Sequence, residues 1–247
     1  MRFNERVAIV TGGSRGIGRA IVTALAEEGA SVHFMYRDAD GAAEEVVRSL
    51  RGQPGEATAH KVDVRDVASV TAEVRAIQGR HGCIDYLVNN AGITRDNLVV
   101  TMTKSEFCEV IETNLVGVFV VSKAVGLHML RQRRGAIVNM SSIGARRPQV
   151  GQVNYACSKA AIEAFTVSFA KELAGKGVRV NALAPGVVQT EMMRPLLDIK
   201  GQEFLRRIPQ GRFGTPDEVA RVCLFLLSDD ARYITGHSIG IDGGLGV

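Results

Sequence analysis

The stretch VAIVTGGSRGIG, residues 7–18, decides the fold of this chain. Its first five residues are apolar and mostly β-branched, which predicts a strand buried on both faces. Glycines at positions 12, 16 and 18 follow at once, and a helical pattern then runs to Glu28, where Gly29 ends it. In a strand, glycine turn and helix of this order, backbone amides at the helix N-terminus bind a pyrophosphate. The spacing is Gly-x-x-x-Gly-x-Gly rather than Gly-x-Gly-x-x-Gly, so a glycine turn without a ligand is the alternative.

Strands and helices alternate along the rest of the chain. Further strands are predicted at residues 31–36, in a segment ending at 62–64, and at 84–88, 135–140, 177–183 and 236–241. Helices between strands require a parallel sheet covered on both faces. We therefore predict an α/β fold with a single domain over residues 1–247, built on a Rossmann-like, doubly wound parallel sheet of about seven strands. The least regular segment, 187–213, is predicted to act as a lid beside a ligand cleft.

Composition excludes several classes of function. The chain has 247 residues, of which 46% are hydrophobic, and its formal net charge is +4. The lysines and arginines are spread along the sequence rather than gathered in a basic stripe, so we expect no nucleic-acid partner. We find no signal peptide and no apolar run long enough to span a bilayer, so we expect no membrane association.

The cysteines indicate a reducing compartment. Cys83, Cys108, Cys157 and Cys223 form no Cys-x-x-Cys pair. Their scatter fits neither a disulfide framework nor a zinc site. We therefore expect reduced thiols, a cytoplasmic protein and no bound metal.

The end of the second predicted strand bears on the cofactor. In a nicotinamide-binding fold, an acidic residue there binds the ribose 2′-hydroxyl, whereas a guanidinium suits a 2′-phosphate. The strand ends in Tyr36-Arg37, and Asp38 lies one position beyond. Arg37 and Arg15 together favour the phosphorylated cofactor, while Asp38 argues against it. A solvated Arg37 that contacts no ligand is the alternative.

Small and polar residues follow three predicted strands. They are Asn-Asn-Ala-Gly at 89–92, Ser-Ser at 141–142 and Ala-Pro-Gly at 184–186. Ligands bind at the carboxyl ends of strands in open parallel sheets, so these segments predict a cleft. A helix predicted over residues 105–131 carries Asn114 in its middle, where asparagine is a poor helix former. Asn114 therefore has either a function or a buried, satisfied side chain.

Tyr155 and Lys159 lie four residues apart, so on a helix they share one face. A neighbouring ammonium favours the ionised phenol and lowers its pKa. We therefore predict that Lys159 lowers the pKa of Tyr155 and makes this phenol a proton donor near neutral pH. An ordinary surface pair is the alternative.

Taken together, these segments resemble the short-chain dehydrogenase/reductase family. The resemblance runs from about residue 6 to residue 247 and rests on Thr11-Gly12-x-x-x-Gly16-Ile17-Gly18, Asn89-Asn90-Ala91-Gly92, Asn114, Ser142, Tyr155-x-x-x-Lys159 and Pro185-Gly186. Within the family, residues 91–98, 111–115 and 233–236 are typical of the 3-oxoacyl-[acyl-carrier-protein] reductases.

The resemblance implies a catalytic tetrad of Asn114, Ser142, Tyr155 and Lys159. It implies reduction of a 3-oxoacyl thioester on acyl carrier protein to the 3-hydroxyacyl form with NADPH. In that reaction Ser142 holds the carbonyl oxygen and Tyr155 donates the proton. Lys159 also binds the nicotinamide ribose, and Asn114 holds a water that relays protons.

The resemblance also implies a set of cofactor-binding residues. The predicted set is Gly12, Ser14, Arg15, Gly16, Ile17 and Gly18 for the phosphates, Arg37 for the 2′-phosphate, Asp63 and Val64 for the adenine, Asn90, Ala91 and Gly92 for the ribose wall, Tyr155 and Lys159 for the nicotinamide ribose, and Pro185, Gly186, Val188 and Thr190 for the nicotinamide end.

Partners follow from the same resemblance. It implies a homotetramer and an acidic acyl carrier protein that docks on Arg133 and Lys176, although solvated basic residues are an equal alternative. The loop at 144–151 departs from the glycine-rich loop of many such reductases, because it carries Arg146, Arg147 and a proline. These residues stiffen the loop or meet an anionic group.

Other functions remain open. They are a ketoreductase of secondary metabolism, which acts on a polyketide or related acyl chain, a reductase of a free ketone or alcohol, and a non-catalytic NADP-binding protein.

Overall fold

The computed structural model describes residues 1–191 and 193–247, without the side chains of residues 195–197 and 200. The strands are β1 (Val7–Thr11), β2 (Ser31–Tyr36), β3 (Glu56–Lys61), β4 (Tyr86–Asn89), β5 (Gly135–Met140), β6 (Val178–Pro185) and β7 (Ser238–Ile241). They form one parallel sheet in the order β3-β2-β1-β4-β5-β6-β7. The predicted fold class, an α/β fold on a doubly wound parallel sheet of about seven strands, is confirmed.

Helices follow most of the strands. They are α1 (Gly16–Glu27), α2 (Asp40–Ser49), α3 (Val67–His81), α4 (Lys104–Ile111), α5 (Gly117–Gln132), α6 (Val153–Leu173), α7 (Arg194–Arg207) and α8 (Pro216–Leu227). Side-chain caps fix several starts: the Asp66 carboxylate accepts from two backbone amides of α3, and Thr103 and Thr215 each form a capping box.

The core has two layers because alternate residues of each strand face opposite sides. On β1, Ala8 and Val10 pack in one layer, which α1, α2 and α8 cover. Val7 and Ile9 pack in the other layer, against α3, α5 and α6. Strands buried on both faces are continuously apolar, which is why this run was readable from the sequence.

The long central helix is interrupted by a π-turn. Between α4 and α5, residues Glu112–Val116 form a π-helix, and Asn114 lies in its middle. One extra residue per turn leaves backbone groups outside the regular α-helical ladder, and such turns are frequent at functional sites. The sequence pattern predicted a helix here but not its irregular turn.

This helix corrects one expectation. By length and composition Lys104–Gln132 is apolar enough to span a bilayer, with a mean hydropathy of 1.6 in its most apolar window, so such a run does exist. That window is 56% buried within the protein, where the helix packs against α3 and α6. Burial of this kind is typical of a core helix.

Candidate active site

A cleft of about 500 Å³ opens at the carboxyl ends of β1, β4, β5 and β6. It lies where the strand order reverses, since β1 leads to β2 on one side while β4 pairs with its other side. Ligand crevices of open α/β sheets lie at such reversals.

Most of the predicted site residues line this one cleft. They are Gly12, Ser14, Arg15, Gly16, Ile17, Arg37, Asp63, Val64, Asn90, Ala91, Gly92, Ser142, Tyr155, Lys159, Pro185, Gly186, Val188 and Thr190. Gly18 and Asn114 lie behind its wall. Residues that the sequence reasoning missed also line it, among them Thr94, Asp96, Thr113, Gln149 and Gln152.

The glycine loop is shaped for close approach. A Cβ on Gly18 would lie 2.1 Å from the Gly12 carbonyl oxygen, so Gly18 acts by packing α1 onto the loop rather than by touching a ligand. The first turn of α1 has no side-chain cap, because the residue at the cap position is Arg15, whose guanidinium has no acceptor for the backbone amides. Its free amides and positive dipole end fit an anionic group such as a pyrophosphate.

The part of the cleft beside the ends of β2 and β3 carries paired charges. Arg37 Nε lies 2.5 Å from Asp38 Oδ2, so these two side chains neutralise each other beside the end of β2. Asp63 accepts from the Arg65 guanidinium at 2.6 to 3.1 Å, and this contact is the largest cause of the lowered pKa of Asp63. That Arg65 binds the Asp63 carboxylate was not predicted, because an arginine and an aspartate two residues apart are commonly two separate solvated surface residues.

Tyr155 lies half-buried in the cleft with Ser142 beside it. Burial raises the pKa of Tyr155, while the neighbouring Ser142 side chain lowers that pKa and nearby Asp96 raises it. Lys159 is not among the causes of the shift. The prediction that Lys159 lowers the pKa of Tyr155 is therefore wrong for this structure, because desolvation of the phenolate outweighs other effects.

Lys159 is buried one turn further along α6. Its Nζ donates to the Met140 carbonyl oxygen at 2.7 Å and lies 5.5 Å from the centre of the Tyr155 ring. Burial lowers the pKa of Lys159 to about 8. The group of this pair that titrates near neutral pH is thus the amine.

Asn114 holds the segment that follows β4. Its Oδ1 accepts from the Ile93 amide at 2.8 Å, and its Nδ2 donates to the Ile93 carbonyl at 3.0 Å and to Ser158 Oγ at 3.1 Å. The side-chain amide is therefore satisfied. A Cβ on Gly92 would come within 3.3 Å of Asn114 Oδ1 and 3.7 Å of Lys159 Nζ, so a small residue is needed between them.

The comparisons with known proteins agree with this geometry. A family model described as enoyl-(acyl carrier protein) reductase matches residues 12–246. The chain belongs to the short-chain dehydrogenase/reductase family. The 3-oxoacyl-[acyl-carrier-protein] reductase FabG of Thermotoga maritima is 44% identical over 99% of both chains. That of Chlamydia pneumoniae is 46% identical over 96% of this chain and 95% of its own.

A solved structure shows the same fold. The crystal structure of gox2181 matches with a TM-score of 0.93 and 37% sequence identity, over 99% of this chain and 96% of that one. The earlier resemblance to the short-chain dehydrogenases/reductases is confirmed, and membership makes the chain an oxidoreductase.

In this short-chain dehydrogenase/reductase the two loop arginines have different surroundings. Arg146 Nε pairs with Glu163 Oε2 at 3.1 Å, which ties the loop to α6. Arg147 lines the cleft, and its only described hydrogen bond is a 3.5 Å contact to the Gly246 carbonyl. Arg146 therefore stiffens the loop, and Arg147 is a cation on the cleft wall.

The segment predicted as a lid contributes to the cleft wall. Val187, Phe204 and Ile208 form a small apolar cluster at α7, and Phe204 and Met193 also line the cleft. Position 192 of this segment lies outside the described residues. Lid motion stays a prediction.

The predicted docking cations lie at the amino ends of the strands, opposite the cleft. Arg133 follows α5 and precedes β5, and Lys176 lies between α6 and β6. The two are close, since a Cβ on Gly177 would meet the Arg133 carbonyl at 2.6 Å. Lys176 lies 21 positions after Tyr155, which at about 1.5 Å of helical rise per residue places the two about 30 Å apart, so the docking cations do not border the cleft of their own chain.

Proposed function

We propose that this chain reduces a 3-oxoacyl thioester on acyl carrier protein to the 3-hydroxyacyl thioester, with NADPH as the cofactor. The observation that carries the proposal is a single cleft that joins an uncapped helix N-terminus at a glycine loop to Tyr155, Ser142 and Lys159. The relatives named as 3-oxoacyl-[acyl-carrier-protein] reductases support the substrate class.

The chain's own residues would orient the substrate and move a proton. The Ser142 hydroxyl would bind the keto oxygen and hold it beside Tyr155, whose hydroxyl donates the proton as negative charge develops there. Lys159, with its pKa near 8, would resupply that proton from solvent. When bound, NADPH supplies the hydride to the keto carbon.

Asn114 would contribute to this proton path with its backbone groups rather than with its side chain. Its side-chain amide is taken up by Ile93 and Ser158. A water of the relay would therefore contact the backbone of the π-turn. The side chain would keep Gly92 and Ile93 in place along the cleft.

The residues present fit the proposed cofactor. The α1 N-terminus and the residues at Gly12, Ser14, Gly16 and Ile17 would hold the pyrophosphate. The Thr113 hydroxyl is buried at the cleft wall and has no described hydrogen-bond partner, which suits a polar ligand there. Arg15 and Arg37 would bind the 2′-phosphate, and Asp63 and Val64 the adenine. Asn90, Ala91, Tyr155 and Lys159 would contact the riboses, and Pro185, Gly186, Val188 and Thr190 the nicotinamide.

Replacing the proposed proton donor tests the assignment. Tyr155→Phe removes only the hydroxyl, and kcat with NADPH and a 3-oxoacyl thioester should fall by about 10²–10⁴-fold. Tyr233→Phe is the matched control, because Tyr233 is fully exposed and remote from the cleft, and it should keep full turnover. Near-normal turnover by Tyr155→Phe would refute the mechanism.

A ketoreductase for a different acyl chain is the second candidate. It is favoured by Arg147, a cation on the cleft wall that would suit a substrate with an anionic group near its keto carbon. Rates with simple 3-oxoacyl thioesters and with ones that carry a terminal carboxylate separate the two candidates. Faster reduction of the carboxylate-bearing substrate would favour the second.

We also infer a homotetramer in which the carrier protein docks on Arg133 and Lys176. Because these cations lie about 30 Å from Tyr155 of their own chain, docking there would serve the cleft of a neighbouring copy. Complementary charge would steer the acidic carrier. Arg133→Glu should slow reduction of the carrier-bound substrate and spare a coenzyme A thioester. Equal effects on both substrates would contradict docking at this site.

A cytoplasmic location is part of the same proposal. Among the described residues, Cys83, Cys108, Cys157 and Cys223 are free thiols. Free thiols at exposed positions such as Cys108 and Cys157 suit a reducing compartment. Fractionation of cells that express the protein tests this location, and recovery in an extracellular fraction would contradict it.

A further inference from the structure

One carboxylate behind the cleft connects four parts of the fold. Glu163 lies on α6 one turn beyond Lys159, so Tyr155, Lys159 and Glu163 share a helix face. Its Oε1 accepts from Ser238 Oγ on β7 at 2.7 Å and from Ser141 Oγ at 3.2 Å. Its Oε2 accepts from Arg146 Nε at 3.1 Å.

These contacts surround the turn that presents Ser142. Ser141 follows the end of β5 and precedes Ser142, and Arg146 closes the short 3₁₀ turn Ile143–Ala145 just after it. The Ser141 hydroxyl also lies 3.1 Å from the Lys159 carbonyl oxygen, so its single proton is shared between two acceptors on α6, that carbonyl and the Glu163 carboxylate. Glu163 is only partly exposed, which strengthens charge-assisted hydrogen bonds.

We propose that Glu163 is a positioning residue, which holds the turn carrying Ser142 at a fixed distance from Tyr155 and Lys159. The inference rests on the proposed function. Glu163 lies on the same helix as Tyr155 and binds the turn that carries Ser142. It therefore fixes the position of Ser142, which would bind the keto oxygen, relative to Tyr155, which would donate the proton. A displacement of about 1 Å between such groups lowers turnover by up to about 10²-fold.

Three substitutions separate the contacts. Glu163→Leu removes all three hydrogen bonds and should lower kcat by about tenfold or more, while the KM for NADPH changes by less than twofold. Glu163→Gln keeps an oxygen acceptor for the serines and loses the ion pair, so it should recover much of kcat. Arg146→Met loses the same ion pair and should match Glu163→Gln.

A control variant and a double-mutant cycle distinguish a positioning role of Glu163 from a role in the stability of the fold. Arg19 and Glu45 form an ion pair of 2.9 Å away from the cleft, so Glu45→Leu should leave kcat unchanged. In a Ser142→Ala background, Glu163→Leu should lower kcat by less than twofold, since the residue through which it acts is gone. Activities are compared at a temperature at which thermal melts show each variant folded.

The outcomes are decisive in either direction. Unchanged kcat in Glu163→Leu, or an equal loss with and without Ser142, would overturn the positioning role. A loss of kcat that follows the unfolded fraction in the melts would also overturn it. Tyr155→Phe is assayed in parallel: if that variant stays active, the proposed function itself fails, whereas an inactive Tyr155→Phe beside an unaffected Glu163→Leu rejects this inference alone.

Discussion

At the scale of single residues, burial governs the chemistry of the cleft. Tyr155 and Lys159 are each shifted away from their charged forms by desolvation, which lowers the pKa of Lys159 to about 8. In the proposed mechanism the lysine, rather than the tyrosine, therefore governs how a proton returns to the cleft near neutral pH.

This shift predicts the alkaline limb of the activity profile. In the proposed mechanism the protonated form of Lys159 resupplies the proton, so kcat should be constant below its pKa and fall as the pH rises through about 8. Lys159→Met should lower kcat and remove that limb. The check is kcat for carbonyl reduction from pH 6 to 10, and a limb that persists in Lys159→Met would assign it to another group.

Substitutions in the ion pair of Arg37 and Asp38 are expected to change the preference between NADPH and NADH. Asp38 neutralises Arg37, so Asp38→Asn should free the guanidinium and raise the preference for NADPH over NADH. Arg37→Ala should lower that preference by roughly tenfold or more, because a hydrogen bond to a charged group contributes about 1.5–3 kcal/mol. The measurement is the ratio of kcat/KM for the two coenzymes. An unchanged ratio in both variants would mean that Arg37 does not read the phosphate.

At the scale of the elements, a chain of histidines ties the edge of the sheet together. His33 on β2 is buried, and its two ring nitrogens lie 2.9 Å from His60 on β3 and 2.9 Å from His81 at the end of α3. His60 Nδ1 lies 2.8 Å from Glu73 of α3. Burial, with the nearby charges of His60, His81 and Arg80, lowers the pKa of His33 to about 3.

The histidine chain predicts acid sensitivity. An unfolded histidine titrates near 6.5, so between about pH 6.5 and 3 the unfolded chain binds more protons than the folded one. The free energy of unfolding should therefore fall as the pH drops below 6.5, by up to about 1.4 kcal/mol per pH unit for His33. Denaturant melts from pH 8 to 4 measure this. His33→Gln should flatten the slope and the exposed His237→Gln should not; identical slopes would exclude His33 as the cause.

The sequence predicted the elements better than their local irregularities. The buried strands and the glycine turn could be read from Val7 to Gly18 because burial and backbone demands restrict the residue types there. The π-turn at Asn114 could not be read, because its pattern is that of an ordinary helix. The pKa order of Tyr155 and Lys159 depends on burial, and the histidine chain depends on how α3 packs over two strands, so neither is a local property of the sequence.

At the scale of the whole molecule, large apolar side chains on the two long helices α5 and α6 remain exposed. Phe119 and Leu127 on α5 are each 50% exposed, and Val167 on α6 is 42% exposed. Exposed apolar groups that cluster on helices mark surfaces where proteins associate. They support the proposed homotetramer.

Replacing one of these exposed apolar side chains by a charged one is expected to yield a smaller oligomer. Phe119→Glu would place a charge within the contact, so light scattering coupled to size exclusion should report dimers or monomers in place of tetramers. Val67→Glu is the control, because Val67 is an exposed apolar residue at the start of α3, on neither α5 nor α6. If Phe119→Glu keeps the mass of the unsubstituted protein, α5 is not at an interface.

The reversal of strand order at β1 and β4 has a wider consequence. The crevice there is produced by how the chain connects its strands, so it persists when the side chains around it are exchanged. The segments at 144–151 and 187–213 can therefore be replaced, by evolution or by design, so that the cleft accepts a different substrate while Tyr155 and Lys159 keep their positions. A change of substrate on this fold therefore requires new loop segments around the crevice and no change in the sheet.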